Sequence, residues 1–368
     1  MLTRVYIDNF RSFVNFEWKP PASCVLVGAN GSGKSALFEV LCLVQDLLVH
    51  GKRLDELGLR SKVTAWRKLE KPTIELDVTL SGEIYRYRLV CRHEHDVSIE
   101  EEELWAGNDL LYRFGSERVE LFGDTPGSSS PSSFPFKGET SFLSSLGTRG
   151  EHQRIQRFRS FFESMWGLKP DPRLLKGDAV QESEWLDRDL GNFTSWYRTM
   201  VQSDPDAIAA LREDLQRVIE GFEQIRLPSK SGRIRDLVVR FRFGALSHEL
   251  SWSDLSDGQR MLIALYAVAR ALAANAQMVV LDEIENYVAP SEIQPWLREV
   301  ADLMASVDGQ LLVISHHPEA INYLAADSAW RMWRDPSGGH TRIGPLQADR
   351  NIGEDAYDAF KDEVTGAR

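Results

Sequence analysis

Gly28-Ala29-Asn30-Gly31-Ser32-Gly33-Lys34-Ser35 is the stretch on which the reading of this chain turns. Two glycines bracket four residues and Lys-Ser comes next, the pattern of a loop that wraps a phosphate. Residues without Cβ let the backbone curl until successive N–H groups face one anion, and a helix beginning behind them adds partial positive charge. The apolar run Cys24-Val25-Leu26-Val27 predicts a buried strand entering the loop, and Ala36-Leu37-Phe38-Glu39-Val40-Leu41 predicts a helix leaving it. Gly28, Asn30, Gly31, Ser32 and Gly33 then form the cradle. Lys34 is expected to reach the β- and γ-phosphates of a nucleotide, and the Ser35 hydroxyl to hold a bridging Mg²⁺. By ordinary residue usage a chance match is on the order of one in a hundred for a chain of this length.

The chain has 368 residues, 43% of them hydrophobic, which suits one large α/β domain with an inserted second lobe. No apolar run is long enough to cross a bilayer, and the first residues do not read as a signal segment, so a cytoplasmic location without a membrane partner is expected. Cys24, Cys42 and Cys91 are widely spaced, which suits a reducing compartment rather than a disulfide framework. The net charge of −12 argues against coating nucleic acid over the whole surface and permits a local basic patch.

Outward from the loop, Arg4 to Phe13 alternates like a half-buried strand. Ile74, Leu76, Val78 and Leu80 share one face, Ser81-Gly82 turns, and Tyr85, Tyr87 and Leu89 alternate back: an antiparallel hairpin, continued over Val97–Leu104 and Val119–Phe122. Thr125 to Ser133 is a loop by composition. Ile155, Phe158, Phe161, Phe162 and Met165 fall on one helical face. Asp204-Pro205 opens a further helix with a buried stripe of Ile208, Leu211, Leu215, Val218 and Phe222. Leu237 to Phe243 alternates again. The arginines 149, 154, 157 and 159, and the set Lys230, Arg233, Arg235, Arg240 and Arg242, read as solvated faces, with a nucleic-acid patch as the alternative. Cys91-Arg92-His93-Glu94-His95-Asp96 reads as a polar hairpin tip, with a metal site as the alternative. Trp185, Trp196 and Trp252 are open between core and partner surface.

Three distant stretches complete a nucleotide site. Met278-Val279-Val280-Leu281-Asp282-Glu283 is an apolar strand ending in two acids, Asp282 for Mg²⁺ and Glu283 to polarise the attacking water. Leu255-Ser256-Asp257-Gly258-Gln259-Arg260 opens an apolar helix, and Ser256 with the Gly258 backbone makes a second anion site. Leu311-Leu312-Val313-Ile314-Ser315-His316 is a buried strand ending in a histidine able to contact a γ-phosphate.

The set resembles ABC-type ATPases and, within them, the RecF/SMC-like branch, which opens with a strand ending in Asn-Phe-Arg/Lys-Ser-Phe, here Asn9 to Phe13. More narrowly it resembles the AAA-type ATPases with an ABC-like fold that serve bacterial, anti-phage defence modules. Those carry Gly-Asn before a helix pair (Gly191-Asn192), a helix ending near Gly-Phe (Gly221-Phe222), Leu-Ser-Asp-Gly (Leu255 to Gly258), Asp-Glu-Ile/Pro-Glu-Asn (Asp282 to Asn286) and Thr/Ser-His-x-Pro (Ser315 to Pro318).

The resemblance implies an α/β head with a phosphate loop, a mixed sheet flanked by helices, an antiparallel β-subdomain and an inserted helical lobe. Its expected division is 1–125 for the first part of the head, 126–236 for the lobe, and 237–368 for the rest of the head. It implies ATP and Mg²⁺ as cofactors, Lys34 and Ser35 on phosphate and metal, Asp282 on metal, Glu283 as base, His316 as switch, and Arg11 near the nucleotide. Ser256 and Gly258 would serve ATP bound by a second copy, so that two ATPs are sandwiched in a homodimer. Val288-Ala289-Pro290 stands where many relatives have Leu-His-Pro, so that histidine's role is absent. The glutamine that couples nucleotide to the lobe is not placed by the resemblance, with Gln45 and Gln153 both open.

The function expected is ATP hydrolysis that gates or senses for a nucleic-acid-directed complex. Relatives with a fused TOPRIM nuclease carry it after the switch segment. The stretch after His316 is expected to be too short for one, so a nuclease or similar effector is expected as a separate protein. DNA as a direct partner stays open. The alternative is a RecF-like repair clamp that itself holds DNA. An ATPase subunit of a membrane transporter is disfavoured by the long insertion between Ser35 and Ser256.

Overall fold

Short apolar runs become a six-stranded central sheet in the order Met165–Leu168, Met278–Asp282, Gln310–Ile314, Ser23–Val27, Ala329–Arg334, Thr341–Pro345. Neighbours are parallel until the last pair, which is antiparallel. The computed structural model describes residues 1–94, 96–124, 131–147, 152–316, 329–346 and 361. Most of the loop read over Thr125 to Ser133 therefore lies outside the described residues, as do His95, Arg149, His317 and Pro318.

The central sheet divides the interior in two because successive side chains on a strand point to opposite faces. Cys24, Leu26, Met278, Val280, Leu312 and Ile314 join one apolar cluster, with Leu37 and Leu41 of the helix Lys34–Leu48. Val25, Val27, Val279, Leu281, Leu311 and Val313 join the other, with the helices Asp257–Asn275 and Pro290–Ser306. Both faces are covered, which is why Met278–Asp282 reads as a continuous apolar run rather than an alternation.

A second sheet of eight antiparallel strands runs Phe16–Trp18, Leu2–Asp8, Thr73–Leu80, Glu83–Arg92, Ser98–Ala106, Asp109–Gly115, Arg118–Leu121, Ser132–Pro135. Here the alternation read from sequence holds: Ile74, Leu76, Val78, Leu80, Tyr85, Tyr87 and Leu89 are buried. Arg4, Glu75, Arg88 and Glu101 form ion pairs on the opposite face. The apolar face receives the helix Gln153–Glu163, where Phe158 lies against Tyr85 and Tyr87. Within this core Glu102 accepts hydrogen bonds from Tyr87, Tyr112 and Ser141 hydroxyls at 2.7, 2.8 and 2.7 Å. Gln310 joins the two sheets, accepting from Leu2 N at 2.8 Å and donating to the Leu2 and Pro21 carbonyls at 2.9 and 3.0 Å.

The expected lobe over 126–236 differs from the one that forms. Residues 153–168 pack with the head, because the Phe158 stripe fits the antiparallel sheet and Met165–Leu168 supplies an edge strand of the central sheet. The chain beyond Leu168 is mixed rather than mostly helical: helices Phe193–Ser203 and Pro205–Val218 and two small three-stranded sheets. Leu211 and Leu215 share a core with Met261 and Leu265. The Asp204 cap is present, its Oδ1 accepting from Ala207 N at 2.9 Å. Gly221 has φ 73°, and a Cβ there would lie 2.5 Å from the Phe243 ring.

Candidate functional site

Four parallel strands deliver their carboxyl ends to one edge of the central sheet: Val27 into the glycine loop, Asp282 with Glu283, Ile314 with Ser315-His316, and Leu168 with Lys169. Crevices at such edges are where open α/β sheets bind ligands. A cleft of about 420 Å³ opens there, lined by Arg11, Asn30, Gly31, Gly33, Lys34, Ser35, Glu283, His316 and Arg334 among others.

Two glycines of the loop are dictated by close approach. A Cβ on Gly28 would collide with the Met332 carbonyl, and one on Gly33 would sit 2.6 Å from Thr341 Oγ1. Gly33 also caps the exit helix in the left-handed region, φ 112°. The hairpin Ala329–Arg334/Thr341–Pro345 braces the loop: Thr341 Oγ1 donates to the Ser32 carbonyl at 2.8 Å, and Arg334 Nε donates to the Gly31 carbonyl at 2.7 Å. No motif marks these two residues, since their part comes from strand pairing with the loop strand.

Lys34 Nζ donates to the Gly28 and Ala29 carbonyls at 2.7 and 3.2 Å. Burial pushes its ammonium down to about 8, opposed by the charges of Glu283 and Asp282, with Lys169 lowering it further. Ser35 Oγ donates to Asp282 Oδ1 at 3.5 Å. Glu283 stands in the left-handed region at φ 54°, a conformation costly for a residue with a Cβ and concentrated at functional sites. It is held there by donation of its N–H to the Ile314 carbonyl at 2.9 Å. His316 Nε2 lies 3.5 Å from Glu283 Oε1. Burial holds the His316 imidazole below its ordinary range, aided by Lys34 and opposed by Glu283 and Asp282. Behind it, Glu285 accepts from Ser315 Oγ at 2.5 Å and His316 N at 3.3 Å. Arg11 pairs with Glu39 of the exit helix at 3.1 Å and lines the cleft.

Ser256 and Gly258 lie outside this cleft. Ser256 caps the helix Asp257–Asn275, its Oγ accepting from Gln259 N at 3.2 Å while Gln259 Oε1 accepts from Ser256 N at 3.1 Å. Gly258 abuts the Tyr287 carbonyl, 3.2 Å from where a Cβ would be, so this helix start is joined to the turn after Glu283.

The residues present fit a metal-bound nucleoside triphosphate. The loop and helix start supply N–H donors, and hydroxyl and carboxylate stand together at Ser35 and Asp282. Two buried polar atoms of the site, Ser32 Oγ and His316 Nε2, have no hydrogen-bond partner among the described residues. Lys169 belongs to no motif, yet its Nζ bonds Asp282 Oδ2 at 2.5 Å.

The other candidates resolve by their partners. Arg154 pairs with Glu83 and Asp109, Arg159 with Glu163, Lys230 with Asp236, Arg240 with Glu249, and Arg242 with Glu223, whereas Arg157, Arg233 and Arg235 form no such ion pair among the described residues. Trp196 and Trp252 are core, and Trp185 is half exposed against His50. Cys91 is buried, and His93 Nε2 contacts the Lys68 carbonyl at 2.7 Å. Neither Gln45 nor Gln153 lines the cleft. Gln45 is buried, donating to the Phe162 and Met165 carbonyls.

The fold is that of an ABC-type, SMC-like ATPase head. The family described as "AAA domain, putative AbiEii toxin, Type IV TA system" matches residues 24–322, and the chain belongs to it. Among solved structures, the SMC head bound to the C-winged helix domain of ScpA superposes with TM-score 0.56 at 14% identity, covering 95% of this chain and 99% of that one. The SMC head domain from Thermotoga maritima superposes with TM-score 0.48 at 16% identity, covering 94% and 99%. At such identity the first likeness is one of fold. No curated protein matches the chain. No helix among the described residues is long and apolar enough to cross a membrane.

Proposed function

We propose that the chain binds and hydrolyses Mg²⁺-ATP in this cleft and uses the cycle to gate a nucleic-acid-directed defence complex whose effector is a separate protein. The observation that carries the reading is the meeting of the glycine loop, Asp282, Glu283 and His316 at one sheet edge, with Ser32 Oγ and His316 Nε2 left without a hydrogen bond among the described residues. The loop N–H groups and Lys34 hold the phosphates, with Arg11 beside them. Ser35 and Asp282 would hold Mg²⁺, which when bound neutralises the β- and γ-phosphate oxygens. Glu283 takes a proton from water as the water oxygen bonds to the γ-phosphorus and the bond to the β–γ bridging oxygen breaks. Neutral His316 donates to a γ-phosphate oxygen.

Ser256 and the Gly258 N–H, outside the cleft, suit the γ-phosphate held by a second copy. ATP then joins two heads and hydrolysis parts them. The pairing of Arg154, Arg159, Arg240 and Arg242 with acids favours a gate over a clamp that grips DNA by itself. The family description, which names a toxin of a toxin–antitoxin system, supports a defence role.

Steady-state hydrolysis by the purified chain tests the chemistry, with Lys34→Ala as the blank. Lys34→Ala should abolish nucleotide binding, whereas Glu283→Gln should bind ATP normally and turn over about 10²- to 10⁴-fold more slowly. Wild-type turnover by Glu283→Gln would remove Glu283 from the role of base.

A further inference from the structure

The edge strand Met165–Leu168 runs parallel to the acid strand with Leu168 opposite Leu281, so the next residue, Lys169, arrives level with Asp282. Its Nζ bonds Asp282 Oδ2 at 2.5 Å and donates to Ser35 Oγ at 3.5 Å, while Ser35 Oγ is itself 3.5 Å from Asp282 Oδ1. The ammonium thus sits between the hydroxyl and the carboxylate assigned to Mg²⁺. The Asp282 side chain is fully buried, whereas that of Lys169 is 49% exposed. A buried carboxylate without a counter-charge is strongly unfavourable, and a half-exposed flexible side chain supplies one able to leave. Lys34 does not take this part, since its ammonium is turned to the Gly28 and Ala29 carbonyls.

We propose that Lys169 is a tethered counter-ion that occupies the divalent-cation position and must be displaced for metal to bind, so that metal entry is coupled to the segment beginning at Lys169. The proposal rests on the assignment of Ser35 and Asp282 to the metal. A place for the displaced ammonium adjoins the site. A cleft of about 300 Å³ is lined by Lys169, Asp189, Glu283 and Asn286 together with the Asp171–Arg173 ion pair, and the Asp189 and Glu283 carboxylates offer new partners. The backbone of the same segment is tied to the turn ahead of the helix Phe193–Ser203: Lys169 N donates to the Arg188 carbonyl at 2.8 Å and Asp171 N to the Asp189 carbonyl at 3.1 Å. Arg188 in turn bonds Asp46 and Gln45 of the phosphate-loop helix. Lys169 therefore stands at a strand end that bridges the metal position and the inserted segment.

Mn²⁺ binding to the full chain without nucleotide, read as loss of the free-ion paramagnetic resonance signal, tests this directly. Lys169→Met keeps the aliphatic stem and removes the charge. It should bind Mn²⁺ about fivefold more tightly than wild type, the worth of a partly exposed ion pair. Its Tm without metal should fall below that of wild type, and saturating Mn²⁺ should close the gap. Lys169→Arg should restore weak metal binding. Equal or weaker Mn²⁺ affinity in Lys169→Met overturns the proposal. Asp282→Asn reports on the underlying assignment separately: unchanged Mn²⁺ affinity in that variant removes Asp282 from the metal whatever Lys169→Met does. Should Lys169→Met not fold, the wild-type chain still decides, because Mn²⁺ should raise the reactivity of Lys169 toward acetic anhydride as read by mass spectrometry. Unaltered reactivity at saturating Mn²⁺ overturns the displacement.

Discussion

At the scale of single residues, the chain places buried charge where sequence patterns do not announce it. Glu102 is one of four consecutive glutamates in an alternating strand, Glu100 to Glu103, yet it alone of them turns into the core, where three hydroxyls converge on it. Burial lifts its carboxyl above the ordinary value, opposed by those hydrogen bonds. The folded chain therefore holds this proton more tightly than the unfolded chain, and the group's contribution to stability falls as pH rises from the ordinary value through the raised one. Glu102→Gln lacks the titration. The wild-type urea midpoint, measured against that of Glu102→Gln, should decline as pH rises from about 4.5 and level off above the native value. A gap moving in favour of the wild type over that range contradicts the assignment. Lys169 carries the same lesson, because a lone lysine after a short strand has no pattern until parallel pairing sets it beside Asp282.

At the scale of elements, the helix Asp257–Asn275 has two demands on its first turn. Ser256 closes the reciprocal cap with Gln259, and the proposed function asks the same hydroxyl to face a partner's phosphate. The two roles separate by substitution. Ser256→Ala should cost about 1 kcal/mol of unfolding free energy through the lost cap, whereas Ser256→Asp, also a good cap, should keep most of that stability. Both should lower ATP turnover, and Ser256→Asp the more strongly, because its charge opposes an anion. Full turnover by Ser256→Asp removes this helix start from the second anion site. The hairpin Ala329–Arg334/Thr341–Pro345 shows the reverse case of an element unread in sequence that turns out to brace the loop, its Thr341 and Met332 setting which loop positions must be glycine.

At the scale of the whole molecule, the proposed cycle requires two copies. With Mg²⁺-ATP, Glu283→Gln should sediment at double the monomer mass, while Lys34→Ala under the same conditions should remain monomeric. A monomeric Glu283→Gln with nucleotide bound excludes the sandwich. Because Arg154, Arg159, Arg240 and Arg242 are paired with acids and the net charge is −12, duplex DNA alone should leave wild-type hydrolysis within about twofold of its basal rate. Strong stimulation that fades with added salt would instead favour the clamp.

The sequence by itself determined the glycine loop between strand and helix, the strand ending in two acids, the histidine-ended strand and the helix opened by Asp204-Pro205, because each needs particular residue types at fixed local spacing. It determined the antiparallel hairpin of Thr73–Leu80 and Glu83–Arg92 too, since one buried face leaves a period of two. Only the tertiary structure decided that residues 153–168 belong with the head, that Gln45 is held inside it, and that Lys169, Arg334 and Thr341 join the site. Those placements come from strand order in the central sheet, which brings residues far apart along the chain to one edge. Local patterning cannot express that order, because pairing partners are chosen by packing across both faces of the sheet.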